Sequence, residues 1–225
     1  MDAILPAAGN ATRMRGLPKF LLPIDLDYLT LIENHAKQLE ELCLRIWIPV
    51  NPDFENLLSK LDKLPDNCIV VPMRTISMTE TILNVVQMSD SKDFSLIMPD
   101  TFFVGEQPYK KLSVDSFASL ACWKIRDEQK GKLGQVLVDH GNKVTDIRDK
   151  DINCDYELSW GAVSFSRDLI NYMEITDPNI GMAVAKSIKN GEDVNCLMVD
   201  GEYFDCGTPR EYFHLLEKRI SQNEM

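Results

Sequence analysis

Residues 1–20 read MDAILPAAGNATRMRGLPKF: an apolar run, Ala3-Ile4-Leu5, is followed by the small residues Ala7, Ala8 and Gly9, then by Thr12, Arg13, Pro18 and Lys19. A buried strand that ends in small residues lets the backbone turn sharply and present its N–H groups, which cradle an anion without bulky side chains in the way. Arg13 and Lys19 add fixed positive charge to that loop. The stretch reads as a phosphate-binding turn. Asp100 follows a second apolar run, FSLIMP over 94–99. If that run is a central strand, Asp100 stands at its carboxyl end, the edge where open α/β sheets bind ligands, and a carboxylate there is well placed for a metal ion. Other strings point less firmly to chemistry. Asp25-Leu26-Asp27 spells D-x-D, the metal motif of many glycosyltransferases; a turn before the next helix is the preferred reading, and a glycosyltransferase is a further alternative, separated by whether Asp25 or Asp27 lies near a metal. His35, His140 and His214 have no paired spacing, and the six cysteines, Cys43, Cys68, Cys122, Cys154, Cys196 and Cys206, form no C-x-x-C pair. Neither a zinc site nor a Ser/His/Asp or Cys/His relay follows from them.

The first stretch resembles the signature of the nucleotidyltransferases that join a sugar 1-phosphate to a nucleoside triphosphate, L-x-(A/G)-G-x-G-T-R, a variable loop, then P-K. Leu5, Ala8, Gly9, Thr12, Arg13, Pro18 and Lys19 match it, and Ala11 stands where the family has its second glycine. In left-handed backbone an alanine costs about 1–2 kcal/mol. The resemblance extends to the other end of the chain, where Asp205, Gly207, Thr208 and Pro209 match D-x-G-T-P. Between them, Asp149 and Lys150 match the first two residues of E-K-P, with Asp151 in place of the proline, and Gly161 and Phe165 match a strand of the form A-x-x-G-x-Y-x-F.

The resemblance implies that Asp100 and Asp205 hold Mg²⁺ and that Ala7, Ala8, Gly9, Asn10, Ala11 and Thr12 hold the nucleotide, with Thr79 and Glu80 beside its base. Arg13, Lys19 and Lys150 carry the catalytic charge, and Asp149 and Gly161 meet the acceptor. An oxygen of the sugar 1-phosphate attacks the α-phosphorus and pyrophosphate leaves. A non-sugar phosphate such as phosphocholine is an alternative acceptor, and a catalytically silent binding module of the same fold is an alternative to the enzyme.

These residues need elements to place them. Thr30 with Glu33 three residues on forms a capping box, and Leu31, Ala36, Leu39 and Leu42 predict a helix over 30–43. Strands over 44–50 and 68–72 flank a helix over 53–61, giving a β-α-β-α-β order and a mostly parallel sheet. Thr79 is positioned to cap a helix through Ile82, Val85 and Val86. A strand over 116–125, a hairpin over 134–147 and a strand over 156–166 break the rhythm, so the topology is mixed. Asp177-Pro178 predicts an N-cap and first turn of a helix that packs through Met182, Ala185 and Ile188 and stops near Gly191. Strands over 194–199 and 202–204 lead to Thr208, Pro209 and Glu211, a capping box opening the last helix. The fold class expected is α/β, a Rossmann-like mixed, mainly parallel sheet with helices on both faces, in one domain over 1–225; the resemblance implies the nucleotide-diphospho-sugar transferase fold.

With 225 residues, 44% of them hydrophobic, the chain can bury a full core. A net charge of −11 argues against nucleic acid or an anionic membrane as partner. The first residues lack the basic and long apolar regions of a secretion signal and no run is long enough to span a bilayer, so a cytoplasmic location is expected. The partners expected are a nucleoside triphosphate and a phosphorylated small molecule, and association into a homo-oligomer is compatible with these numbers.

Overall fold

The computed structural model describes residues 1–112 and 115–223, with the side chains of Arg13 and of 221–223 outside that description. β1 (Asp2–Ile4) is central because Ala3, Ile4 and the following Leu5 are fully buried. Side chains alternate between the faces of a strand, so Ala3 and Leu5 enter one core and Ile4 the other. The elements that follow are α1 (Leu31–Leu39), β2 (Ile46–Val50), α2 (Glu55–Leu58), β3 (Cys68–Pro72), α3 (Met78–Met88), β4 (Asp93–Ile97), β5 (Thr101–Gly105) and β6 (Ala118–Lys124). The hairpin β7 (Gly134–Val138) and β8 (Val144–Asp149) comes next, then β9 (Leu158–Ser166), α4 (Ile180–Lys189), β10 (Val194–Met198), β11 (Gly201–Asp205) and α5 (Pro209–Asn223).

The large sheet has the order β10-β6-β9-β4-β1-β2-β3, with the β7–β8 hairpin attached to β9. Along that path all strands run parallel to β1 except β9, which is antiparallel to both β4 and β6. Helices cover both faces. α1 and α2 pack on one through Ile32, Ala36, Leu39 and Leu58, while α3 and α4 pack on the other through Ile82, Val85, Val86, Ile180, Ala183 and Val184. The expected mixed, mainly parallel α/β sheet is the one that forms.

Local chemistry explains most boundaries. The Thr30–Glu33 capping box opens α1, whose body ends at Leu39; the N–H groups of Leu42 and Cys43 then close a turn on the Leu39 carbonyl. The helix expected over 53–61 is a 3₁₀ turn at Pro52–Phe54 followed by the single turn of α2. Two expectations about α4 are corrected. Asn179, not Asp177, is its N-cap, accepting the N–H of Gly181 at 2.9 Å, while the Asp177 carboxylate is taken up by Lys186 Nζ at 2.8 Å. Its buried stripe is Ile180, Ala183, Val184 and Ser187, and Met182 is 39% exposed. Ser187 hides that stripe in the sequence; its hydroxyl donates to the Val184 carbonyl at 2.8 Å and so tolerates burial.

β5 was not expected as a strand. It leaves the sheet beyond β4 and forms a separate antiparallel ribbon with β11, in which Thr101 faces Asp205. Phe102, Val104 and Phe204 of the ribbon cover a third core with Leu22, Ile24, Leu31, Cys206 and Leu215. Arg126 binds the ribbon to α5: its guanidinium reaches Glu202 at 3.3 Å and Glu211 at 3.0 Å and lies 4.5 Å from the centroid of the Phe204 ring. Among the described residues no helix is long and apolar enough to cross a membrane.

Candidate active site

The turn after β1 forms one wall of a cleft of about 520 Å³. Residues 6–12, 18–20, 75–78 and 98–100 line it, with Thr81, Thr176 and Pro178. The ladder with β2 continues through Ala7, whose N–H donates to the Pro49 carbonyl at 2.8 Å, and then the chain leaves the sheet. Beyond that point the N–H groups of Ala8, Gly9, Asn10, Ala11 and Thr12 find no acceptor in the protein among the described residues. Nothing stands within 4 Å of where a Gly9 side chain would begin. A run of free amides along an open cleft is a ready anion site. Ala11 does adopt left-handed backbone, at φ 53° and ψ 24°, because its carbonyl must accept from both Met14 N (3.2 Å) and Gly16 N (3.0 Å). Arg13 belongs to the 3₁₀ turn Thr12–Met14, and its side chain lies outside the described residues.

Lys19 and Asp100 meet in the cleft, Nζ to Oδ2 at 3.1 Å, with side chains only 10% and 20% exposed. The short 3₁₀ turn Lys19–Leu21 and the end of β4 bring them there. The ribbon brings in the second acidic residue: Asp205 faces Thr101 in the ladder, and Cys206 N donates to the Asp100 carbonyl at 2.9 Å. Asp205 Oδ1 accepts the N–H of Gly207 at 2.9 Å, and a side chain at Gly207 would begin 2.8 Å from that oxygen. Asp205 stands next to Asp100 on the backbone but is not among the residues lining the cleft. Burial first, then the charges of Asp100 and Asp205, push the Cys206 thiol up, so it is inert as a nucleophile. The same two carboxylates, after burial, raise the Tyr203 phenol. Both negative charges therefore act on one spot.

His35 backs this arrangement. It is fully buried in α1, with Nε2 2.8 Å from the Thr101 carbonyl and Nδ1 2.8 Å from the Tyr109 hydroxyl. A carbonyl only accepts, so Nε2 carries the proton and Nδ1 accepts from Tyr109. Burial lowers the imidazole to about 4, against the pull of the Thr101 carbonyl and the Asp100 charge, so it is neutral at pH 7. It holds the residue between the two carboxylates. The sequence offered no signal for it, because its partners are distant in the chain.

Several predicted residues sit elsewhere. Thr79 does not cap α3; Ser77 does, accepting the N–H of Glu80 at 3.0 Å, and Thr79 is fully buried outside the cleft lining. Glu80 is also outside the lining, its carboxylate accepting the N–H of Ile76 at 2.6 Å. Ser77, Met78 and Thr81 line the cleft in their place. Gly161 is outside the lining too, buried in the middle of β9 under the ring of Tyr203, where any side chain would begin 2.4 Å from that ring. Asp149 accepts from Asn179 Nδ2 at 2.8 Å, which docks the end of β8 beside Pro178 on the cleft rim. Lys150 follows it in left-handed backbone, φ 53°, exposed and outside the lining. Asp25 closes its own turn, Oδ1 accepting from Asp27 N and Leu29 N, and neither aspartate of that motif lines the cleft.

A mixed, mainly parallel sheet whose first strand opens into free amides, with Asp100 beyond the carboxyl end of β4 and the ribbon's Asp205 beside it, has the fold of the nucleotide-diphospho-sugar transferases. It is similar to a UDP-glucose pyrophosphorylase complexed with UDP-glucose (18% identity, 98% of each chain, TM-score 0.78). It is also similar to the inositol-1-phosphate CTP transferase from T. maritima (19%, 97% of this chain and 95% of that one, 0.77). A third such structure is a UTP-bound UGPase from Acinetobacter baumannii (17%, 96% and 92%, 0.75). At these identities the likeness is one of fold, and no curated protein matches the chain. The chain belongs to the family of MobA-like NTP transferase domains, which matches residues 3–138, from β1 to the end of β7. It is a nucleotidyltransferase of that family.

Proposed function

We propose that the protein transfers a nucleotidyl group from a nucleoside triphosphate to a sugar 1-phosphate. The observation that carries this reading is that one cleft combines the free N–H groups of 8–12 with the Lys19–Asp100 pair. The names of the structures with similar fold, which include UDP-glucose and inositol 1-phosphate chemistry, support a polyol phosphate as acceptor. Phe20 is the single aromatic residue among the described lining residues, which gives less support to a choline headgroup, bound by a cage of several aromatic rings, than to a polyol.

An oxygen of the acceptor phosphate attacks the α-phosphorus, the bond to the bridging oxygen of the β-phosphate breaks, and pyrophosphate leaves with that electron pair. The attacking oxygen is already ionised, so no side chain has to remove a proton. Positioning and charge neutralisation carry the rate. The loop amides and Arg13 receive the pyrophosphate portion, and Lys19 and Lys150 receive the acceptor phosphate, Lys19 shifting from Asp100 as the anion arrives. The two carboxylates are hard oxygen donors that suit Mg²⁺. Among the described residues no third His, Cys, Asp or Glu joins them, so phosphate oxygens and water would complete the shell. Held by Asp100 and Asp205, Mg²⁺ would supply Lewis-acid stabilisation of the phosphate charge.

The test is to incubate the protein with Mg²⁺, a panel of nucleoside triphosphates and a panel of sugar, inositol and amino-alcohol phosphates, and to follow pyrophosphate release. A sugar 1-phosphate is expected to give product, and Asp100→Asn and Asp205→Asn to reduce turnover to background. Near-normal turnover by either variant removes that residue from the metal site. Nucleotide binding without product from any pair makes the chain a silent binding module.

A further inference from the structure

Asn51, directly after β2, is 2% exposed, and both ends of its side-chain amide are committed. Its Oδ1 accepts the N–H of Asp53 at 3.1 Å, a role only the oxygen can fill. The nitrogen is therefore the end turned toward the phosphate turn, where Nδ2 donates to Asn10 Oδ1 at 2.9 Å. That bond fixes Asn10 in turn. With its oxygen on Asn51, the planar amide must direct its NH₂ group the other way, and Asn10 is an exposed residue of the cleft lining whose Nδ2 has no partner among the described residues. The main chain holds the relay in place: Asn51 N donates to the Ala7 carbonyl at 3.4 Å, at the last rung of the ladder before the turn.

Without Asn51 the two orientations of the Asn10 amide differ little in energy, and in one of them a carbonyl oxygen faces the space that the free backbone N–H groups face. Toward phosphoryl oxygens, one orientation adds a donor to the row and the other adds a repelling acceptor. We propose that Asn51 is a positioning residue for the nucleotide's polyphosphate: it locks Asn10 so that an amide N–H₂ extends the anion-binding row of residues 8–12. The inference rests on the reading of the cleft as a nucleotide site.

The experiment is calorimetric titration of the full chain with inorganic tripolyphosphate and with UTP, for wild type, Asn10→Ala, Asn51→Ala, Asn51→Asp and the residue-51 variants in the Asn10→Ala background. Asn10→Ala is expected to weaken tripolyphosphate about three- to tenfold, the effect of one net hydrogen bond. Asn51→Ala should weaken it in the wild-type background and leave it unchanged once Asn10 is alanine. Asn51→Asp keeps the acceptor for Asp53 N–H, and so the fold of the turn, but draws the Asn10 NH₂ group away from the cleft; it should weaken binding more than Asn51→Ala does, again only when Asn10 is present. A donor-only side chain needs no orienting, so Asn10→Lys should restore binding and make it insensitive to residue 51. Equal losses from residue-51 variants with and without Asn10, or no loss in a wild type that binds, overturn the inference and leave the nucleotide site standing. A wild type that binds neither tripolyphosphate nor UTP overturns the site and the inference together.

Discussion

Ala11 holds the turn after β1 in a shape that its own side chain resists. Left-handed backbone costs a non-glycine residue about 1–2 kcal/mol, and glycine loses about 0.5–1 kcal/mol more in conformational freedom on folding. The difference favours glycine, so Ala11→Gly is expected to stabilise the protein by about 0.5–1 kcal/mol, read as a rise of a few degrees in melting temperature. A lower melting temperature would show that the turn is not strained at φ 53°. This residue was legible in the sequence as a departure from pattern, and the structure supplies the dihedral that gives the departure its meaning. His35 was not legible, since its role is a hydrogen bond to a carbonyl 66 residues further along. Its chemistry has a measurable sign. The folded imidazole titrates at about 4 against 6.5 for a free one, so as pH falls from 6.5 the unfolded chain takes up the proton first and stability is lost down to about 4. Above 6.5 the contribution is complete, and its full size is about 3 kcal/mol. Thermal unfolding between pH 6.5 and 5, above most carboxylate titrations, should therefore show wild type losing stability while His35→Gln, which can donate and accept without titrating, stays nearly flat. Parallel curves for the two proteins would remove His35 as the source.

Between elements, the site is assembled by two junctions of different legibility. The capping box at Thr30, the β7–β8 hairpin and the strand before Asp100 are local patterns, each decided by residues within a few positions, and each formed as read. The wall of the cleft at α3 was also written locally, as Ser77 with Glu80 three residues on, although Thr79 competes for the cap in the sequence and loses because its side chain turns into the core. The β5–β11 ribbon was invisible, since TFFVG and GEYFD pair across about a hundred residues and nothing in either string names the other. That pairing is what puts Asp205 beside Asp100. Ser77 joins two walls: its hydroxyl caps α3 and donates to the Ile175 carbonyl at 2.5 Å, in the segment that carries Thr176 and Pro178 into the cleft. Ser77→Ala should cost about 1 kcal/mol as a lost cap and should also weaken nucleotide binding by separating the walls. Loss of stability with unchanged nucleotide affinity would confine Ser77 to the helix end.

For the whole molecule, the decisive quantity is a net charge of −11 around a site that must admit a polyanion. The attraction is short in range, coming from backbone N–H groups and from a lysine already paired with Asp100, whereas the repulsion comes from the entire surface. At about 0.01 M salt the Debye length of about 30 Å lets that surface act on a nucleotide before it reaches the turn; at about 0.1 M the length is about 10 Å and only the near groups are felt. The association rate of a fluorescent nucleoside triphosphate, followed by stopped flow, should therefore rise with salt over that range, the reverse of a ligand steered by an opposite charge. Dissociation depends on contacts within a few ångströms and should respond less. A nucleotide carrying a divalent ion presents less negative charge to the same field, so its association rate should be higher at low salt and its salt dependence shallower. A rate that falls as salt is added would mean that the positive field around the turn reaches beyond the protein surface and outweighs the rest of the molecule along the path the nucleotide takes.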